Sequence, residues 1–174
     1  MTGHPLDPAP APILPDVWQP GIRLVFCGTA AGARSARERA YYAHPGNRFW
    51  PTLHEVGLTP RRLQPQEFPL LPTFGIGLTD VAKHHAGNDN QLPPGAFDAQ
   101  GLRAKVLRWQ PRWLAFTSKA AARAALGDDA GYGLCRQRIG NTQLFVLPSP
   151  SGQARGHWNV ELWRMLAALA RRDE

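Results

Sequence analysis

The chain has 174 residues with a formal net charge of +7, a length that suits one domain with a core large enough to fold alone. Its two cysteines, Cys27 and Cys135, are too few for a disulfide framework or a thiolate-held iron-sulfur cluster and read as buried apolar residues. The basic residues are arginines apart from Lys83, Lys105 and Lys119, so a phosphate-bearing partner is expected, against the plainer alternative of compositional drift toward Arg, Ala and Pro.

The first 21 residues carry Pro5, Pro8, Pro10, Pro12, Pro15 and Pro20, a density that opposes helix and ladder formation and predicts an extended, partly packed arm. The remainder, 22–174, reads as a single α/β domain. Apolar runs at Ile22–Cys27, Phe74–Leu78, Trp113–Thr117 and Leu144–Leu147 are expected as short buried strands. Helical patterns separate them. One begins at Asn47 as N-cap with Phe49, Trp50, Leu53 and Val56 inward; others cover Leu102–Trp109 and Lys119–Leu126. The last, Trp158–Ala170, places Trp158, Leu162, Met165, Leu166 and Leu169 on one stripe. This alternation predicts a three-layer sandwich around a mostly parallel sheet of four to five strands. No long apolar span or leader-like segment is present, and a cytoplasmic protein without a membrane partner is expected.

Parallel sheets bind ligands beyond the carboxyl ends of their strands. Three loops should meet there: Gly28–Gly32, the segment at Thr79-Asp80, and Pro148–Arg155. Glycines in the first loop let backbone amides approach a ligand, and Tyr42 beyond them offers a ring for stacking. A flat, ring-shaped ligand fits these parts.

The motifs within these segments are Phe26-Cys27-Gly28 followed by Gly32, Ala43-His44-Pro45-Gly46-Asn47-Arg48-Phe49-Trp50, Gly77-Leu78-Thr79, and Leu147-Pro148-Ser149-Pro150-Ser151-Gly152 through Arg155. In order and spacing the chain resembles the mismatch-specific uracil-DNA glycosylases, bacterial relatives of thymine-DNA glycosylase, over residues 22 to 170. The resemblance implies a uracil-DNA glycosylase-like fold and a cytoplasmic, nucleoid-associated, monomeric repair enzyme. Such an enzyme flips uracil, and in some cases thymine or other damaged bases, out of mismatched double-stranded DNA. It hydrolyses the N-glycosidic bond without metal or organic cofactor and leaves an abasic site.

Carried over residue by residue, the resemblance puts Gly28, Thr29, Ala30, Gly32, Ser35, Tyr42 and Ser149 around the base. Tyr42 stacks on it, and Ser35 stands at its C5 edge. Gly152, Gln153, Ala154 and Arg155 form the DNA-inserting loop, with Gln153 where relatives carry an apolar wedge. His44 and Asn47 are expected to fix the loop and cap the helix rather than react.

The chain departs from the family in the first loop. Gly-Ile-Asn-Pro-Gly, whose Asn positions the attacking water, is replaced by Gly28-Thr29-Ala30-Ala31-Gly32, and alanine cannot hold a water. Cleavage passes through an oxocarbenium-like state, which a nearby carboxylate stabilises while it orients or deprotonates water. Asp80 at the end of the second strand is the candidate, against a plain helix-capping role; Asp89 in Gly87-Asn88-Asp89-Asn90 is the runner-up. Two other readings stay open: a protein that binds abasic or mismatched DNA with little or no catalysis, or an enzyme acting on another nucleic acid or nucleoside.

Overall fold

The structure, a computed structural model, describes residues 11–127, 129–152, 156 and 158–172. A five-stranded sheet runs in the order β2-β1-β3-β5-β4. Its strands are β1 (Leu24–Gly28), β2 (Ile76–Asp80), β3 (Trp113–Phe116), β4 (Gly133–Ile139) and β5 (Thr142–Val146). The first three and β5 are parallel, and β4 turns back antiparallel on β5. Every residue of β1, β2 and β3 is buried, as expected for strands covered on both faces.

Side-chain alternation divides the core in two. Leu24, Phe26, Leu78, Ala115 and Phe145 face helices α2 (Phe49–Glu55) and α5 (Val160–Arg172), which contribute Phe49, Leu53, Trp163 and Leu166. Val25, Cys27, Leu114, Phe116 and Val146 face α3 (Ala99–Trp109) and α4 (Lys119–Leu126), which contribute Leu102, Val106, Ala121 and Ala122. The expected three-layer α/β architecture is therefore present. A short helix, α1 (Ala33–Glu38), follows β1, and a ten-residue 3-10 segment, Pro65–Phe74, leads into β2.

Several boundaries differ from the sequence expectation for local reasons. Strand β2 begins at Ile76 and includes Asp80, because Phe74 still belongs to the 3-10 segment that Gly75 ends in a left-handed conformation. No helix starts at Val81, so Asp80 caps none. In α5 the buried positions are Trp163, Leu166, Ala167 and Ala170, whereas Met165 is 51% exposed. The expected stripe was rotated too far toward Met165. Helix α2 begins at Phe49 with Arg48 as its cap residue, yet Asn47 Oδ1 accepts the Phe49 N–H at 2.9 Å.

The described part of the Pro-rich arm crosses the edge strand. Val17 and Leu78 exchange both backbone hydrogen bonds, at 2.9 and 2.8 Å, and Leu14 is buried in the first core. Gly77 makes room for this: a Cβ there would lie 2.5 Å from the Val17 carbonyl oxygen. Cys27 is buried, Cys135 is partly buried, and both are free thiols. Among the described residues no helix is long and apolar enough to cross a membrane.

Candidate active site

A cleft of about 940 Å³ opens at the carboxyl ends of β1, β2 and β3. Gly28, Thr29, Ala30, Gly32, Ser35, Tyr42, Asp80, Asp89, Ser149 and Gly152 all line it, so residues more than 120 positions apart in sequence meet at one place. Gln153, Ala154 and Arg155 lie outside the described residues.

The floor is set by the paired ends of β1 and β2, where Gly28 stands in register with Asp80. A Cβ on Gly28 would fall 2.7 Å from Asp80 Oδ1, 3.4 Å from the Tyr42 hydroxyl and 3.5 Å from Thr117 Oγ1. Those three side chains thus converge over a bare backbone position. Asp80 is only 6% exposed, and its carboxylate accepts no hydrogen bond from a described residue. Burial pushes its pKa up from 3.8 to about 6; the charge of Asp16 adds to the rise, while Lys83 and Lys105 oppose it. A carboxylate of this kind is half ionised near pH 6 and lacks competing partners, which suits it to hold and deprotonate a water.

Tyr42 forms one wall. Its backbone has φ 52, in the left-handed region that non-glycine residues rarely occupy. The turn is pinned where Ser35 Oγ accepts the Ala43 N–H at 3.0 Å. One face of the Tyr42 ring stacks on Phe49 with centroids 4.0 Å apart. Its hydroxyl lies 3.3 Å from Thr117 Oγ1. Burial and the Asp80 charge raise the phenol's pKa, so Tyr42 remains a neutral hydroxyl.

Two loops extend the floor into side walls. The 28–32 loop pairs with the segment after β2 through Val81 N–H to Gly28 O at 2.9 Å, Ala82 N–H to Thr29 O at 2.7 Å and Gly87 N–H to Ala31 O at 2.9 Å. Thr29 Oγ1 donates to Asp89 Oδ1 at 2.6 Å, and Asp89 is exposed. On the far side, Arg48 N–H donates to Pro150 O at 2.8 Å and Ser149 Oγ accepts the Ser151 N–H at 3.2 Å. Trp163 Nε1 anchors the same loop by donating to Pro148 O at 3.2 Å. His44 Nδ1 accepts the Gly46 N–H at 2.9 Å, so His44 and Asn47 shape the loop as expected.

Thr117 went unnoticed in the sequence, where it reads as the last residue of a strand. A hydroxyl following an apolar run at a sheet's carboxyl edge is the signal that points to it. A second cavity, of about 510 Å³, lies at the opposite end of the sheet between Arg23, Gly75 and Arg171, remote from Asp80. Among the described residues no three His, Cys, Asp or Glu side chains gather as a metal site.

A doubly covered, mostly parallel sheet with a buried carboxylate and an aromatic wall in the cleft at its carboxyl edge defines an α/β protein whose candidate site lies beyond the strand ends. The uracil DNA glycosylase superfamily model matches residues 15–170, and the chain belongs to that superfamily. Members are DNA N-glycosylases, hydrolases that cut the bond between base and deoxyribose. The fold is also that of a candidate uracil DNA glycosylase from Methanosarcina acetivorans solved by solution NMR, with TM-score 0.62 and 21% identity, over 91% of this chain and 96% of that one.

Proposed function

We propose that this protein is a monofunctional glycosylase of the mismatch-specific kind, extruding uracil from mismatched duplex DNA into the cleft and hydrolysing its N-glycosidic bond. The observation that carries this reading is the buried Asp80 carboxylate beside Gly28, in a cleft whose family Asn is replaced by Ala30. In the reaction the bond from the base nitrogen to C1′ breaks and its electron pair leaves with the base. Water oxygen bonds to C1′, and Asp80 takes the water proton while its charge stabilises the cationic sugar. Tyr42 stacks on the extruded base, the 28–32 backbone reads its edge, and the loop containing Gly152, Gln153, Ala154 and Arg155 enters the duplex.

Asp89 is the weaker candidate, because it is exposed and holds the Thr29 hydroxyl. Ser35, with its hydroxyl engaged by Ala43, leaves a small group at the pocket wall. With Ala30 and Ala31 it supports a range extending to thymine and other damaged pyrimidines, which fails if a panel of duplexes shows cleavage of U·G alone. We expect a monomer by light scattering.

The test is single-turnover cleavage of a labelled U·G duplex by the wild type, Asp80→Ala and Asp89→Ala, with abasic-DNA binding as a control for folding. Cleavage lost in Asp80→Ala and retained in Asp89→Ala supports the assignment. Firm abasic-site binding without wild-type cleavage favours the second reading, a mismatch- or abasic-site-binding protein, which the loss of Asn at Ala30 motivates.

A further inference from the structure

Behind Asp80, on the edge of the sheet, sits a group of charges that the cleavage reaction does not use. Asp16, in the segment preceding β1, receives Lys83 Nζ at 2.9 Å and Lys105 Nζ at 2.6 Å, and the Thr79 hydroxyl donates to it at 2.7 Å. Lys105 also reaches Thr79 Oγ1 at 3.3 Å. Lys83 Nζ donates to the Tyr41 hydroxyl at 3.1 Å, which donates to Pro15 O at 2.8 Å. Arm, α3 and the loop after β2 are thus tied at Asp16, which also holds the hydroxyl of Thr79, the residue before Asp80.

Ion pairs of this kind are poor stabilisers, since desolvation cancels much of their attraction. Their charge is a different matter. Two ammonium groups against one carboxylate leave one uncompensated positive charge beside a buried acid. The Asp16 side chain is only 25% exposed and that of Lys83 12%, so water screens the cluster weakly. Asp16 itself is pushed up by burial, but the Lys83 charge and the hydrogen bonds from Lys105, Lys83 and Thr79 outweigh this and hold it below the usual range. It therefore remains an anion while Asp80 titrates.

We propose that Asp16, Lys83 and Lys105 form a charge triad that governs the ionisation of Asp80, making the N-terminal arm a positioning element of the active site. The inference rests on the reading of Asp80 as the catalytic acid-base group only where it concerns rate. Among the described residues, the titratable groups that interact electrostatically with Asp80 are Cys27 from β1, Tyr41 and Tyr42 from the turn after α1, Lys83, Lys105 from α3, and Asp16 from the arm, while Arg34, Arg37, His44 and Asp89 line the open cleft in front of it. Burial raises the pKa of Cys27, Tyr41 and Tyr42 further from neutrality. Among the described residues, the charges that act most strongly on Asp80 are therefore those of the triad.

The experiment titrates the Asp80 13Cγ resonance, assigned by its loss in Asp80→Asn, and measures the pH profile of single-turnover U·G cleavage on the same full-length proteins. Lys105→Met is expected to move the Asp80 midpoint about one pH unit upward, and Asp16→Asn to move it downward. Lys105→Arg, which keeps the charge, should stay near the wild type. A merely structural tether predicts no movement, or movement of both variants in the same direction through loosening of the arm, and either result overturns the proposal. If Asp16→Asn does not fold, the rise or absence of a rise in Lys105→Met, a partly exposed site, decides. A 13Cγ midpoint that shifts as expected beside an unmoved cleavage profile upholds the triad and removes Asp80 from the rate.

Discussion

Asp80 holds its place against its own solvation. Raising its pKa from 3.8 to about 6 corresponds to about 3 kcal/mol. The folded chain binds this proton more tightly than the unfolded chain. The stabilising contribution is therefore full below about pH 4 and is lost as pH rises through about 6. Asp80→Asn removes the penalty: the urea midpoint at pH 7.5 is expected to rise, while single-turnover cleavage falls by about a hundredfold or more. Gly28 makes a second residue-scale case. Gly28→Ala sets a methyl 2.7 Å from Asp80 Oδ1, so the carboxylate must turn away. Cleavage is expected to drop about tenfold or more with little change in Tm. That an acid stood at this strand end was legible in the sequence; its burial was not, because Tyr42 and Thr117, which converge with it over Gly28, arrive from distant segments.

Elements with a local signal were legible. Helix α4 runs from Lys119 to Leu126 as expected, since Ser118 Oγ caps it by accepting the Ala121 N–H at 3.0 Å and Gly127 ends it. The strands of the sheet centre were legible as apolar runs. Strand β4 was not, because Gly133–Ile139 carries Arg136, Gln137 and Arg138 on an edge, and its pattern lacks both the apolar run and the alternation of a strand. The Pro65–Phe74 segment was hidden for a related reason: Pro65, Pro69 and Pro72 oppose an α-helix but fit a 3-10 run. The arm's pairing with β2 depends on Gly77, so Gly77→Ala is expected to push Val17 off the edge and cost about 1–3 kcal/mol in urea unfolding. Lost pairing also displaces Asp16, so the same variant should alter the acid limb of the cleavage profile.

At the scale of the whole molecule, charge and ionisation set the working conditions. A net charge of +7, mostly as arginine, predicts binding through phosphates. Duplex affinity is expected to fall about tenfold or more between about 50 and 200 mM salt, with a linear log–log slope measured by fluorescence anisotropy. With Asp80 required as carboxylate, cleavage should rise with pH through about 6 and level above it, which a single-turnover profile checks. The sequence by itself determined the alternation of strands and helices, the apolar faces and the motif blocks, because these depend on side-chain period and on residues adjacent in the chain. Tertiary structure alone decided that the arm docks on β2, that Asp80 loses water, and that Asp16, Lys83 and Lys105 gather beside it. Solvation and charge at a site depend on which distant segments exclude water there, and a one-dimensional pattern carries no record of that.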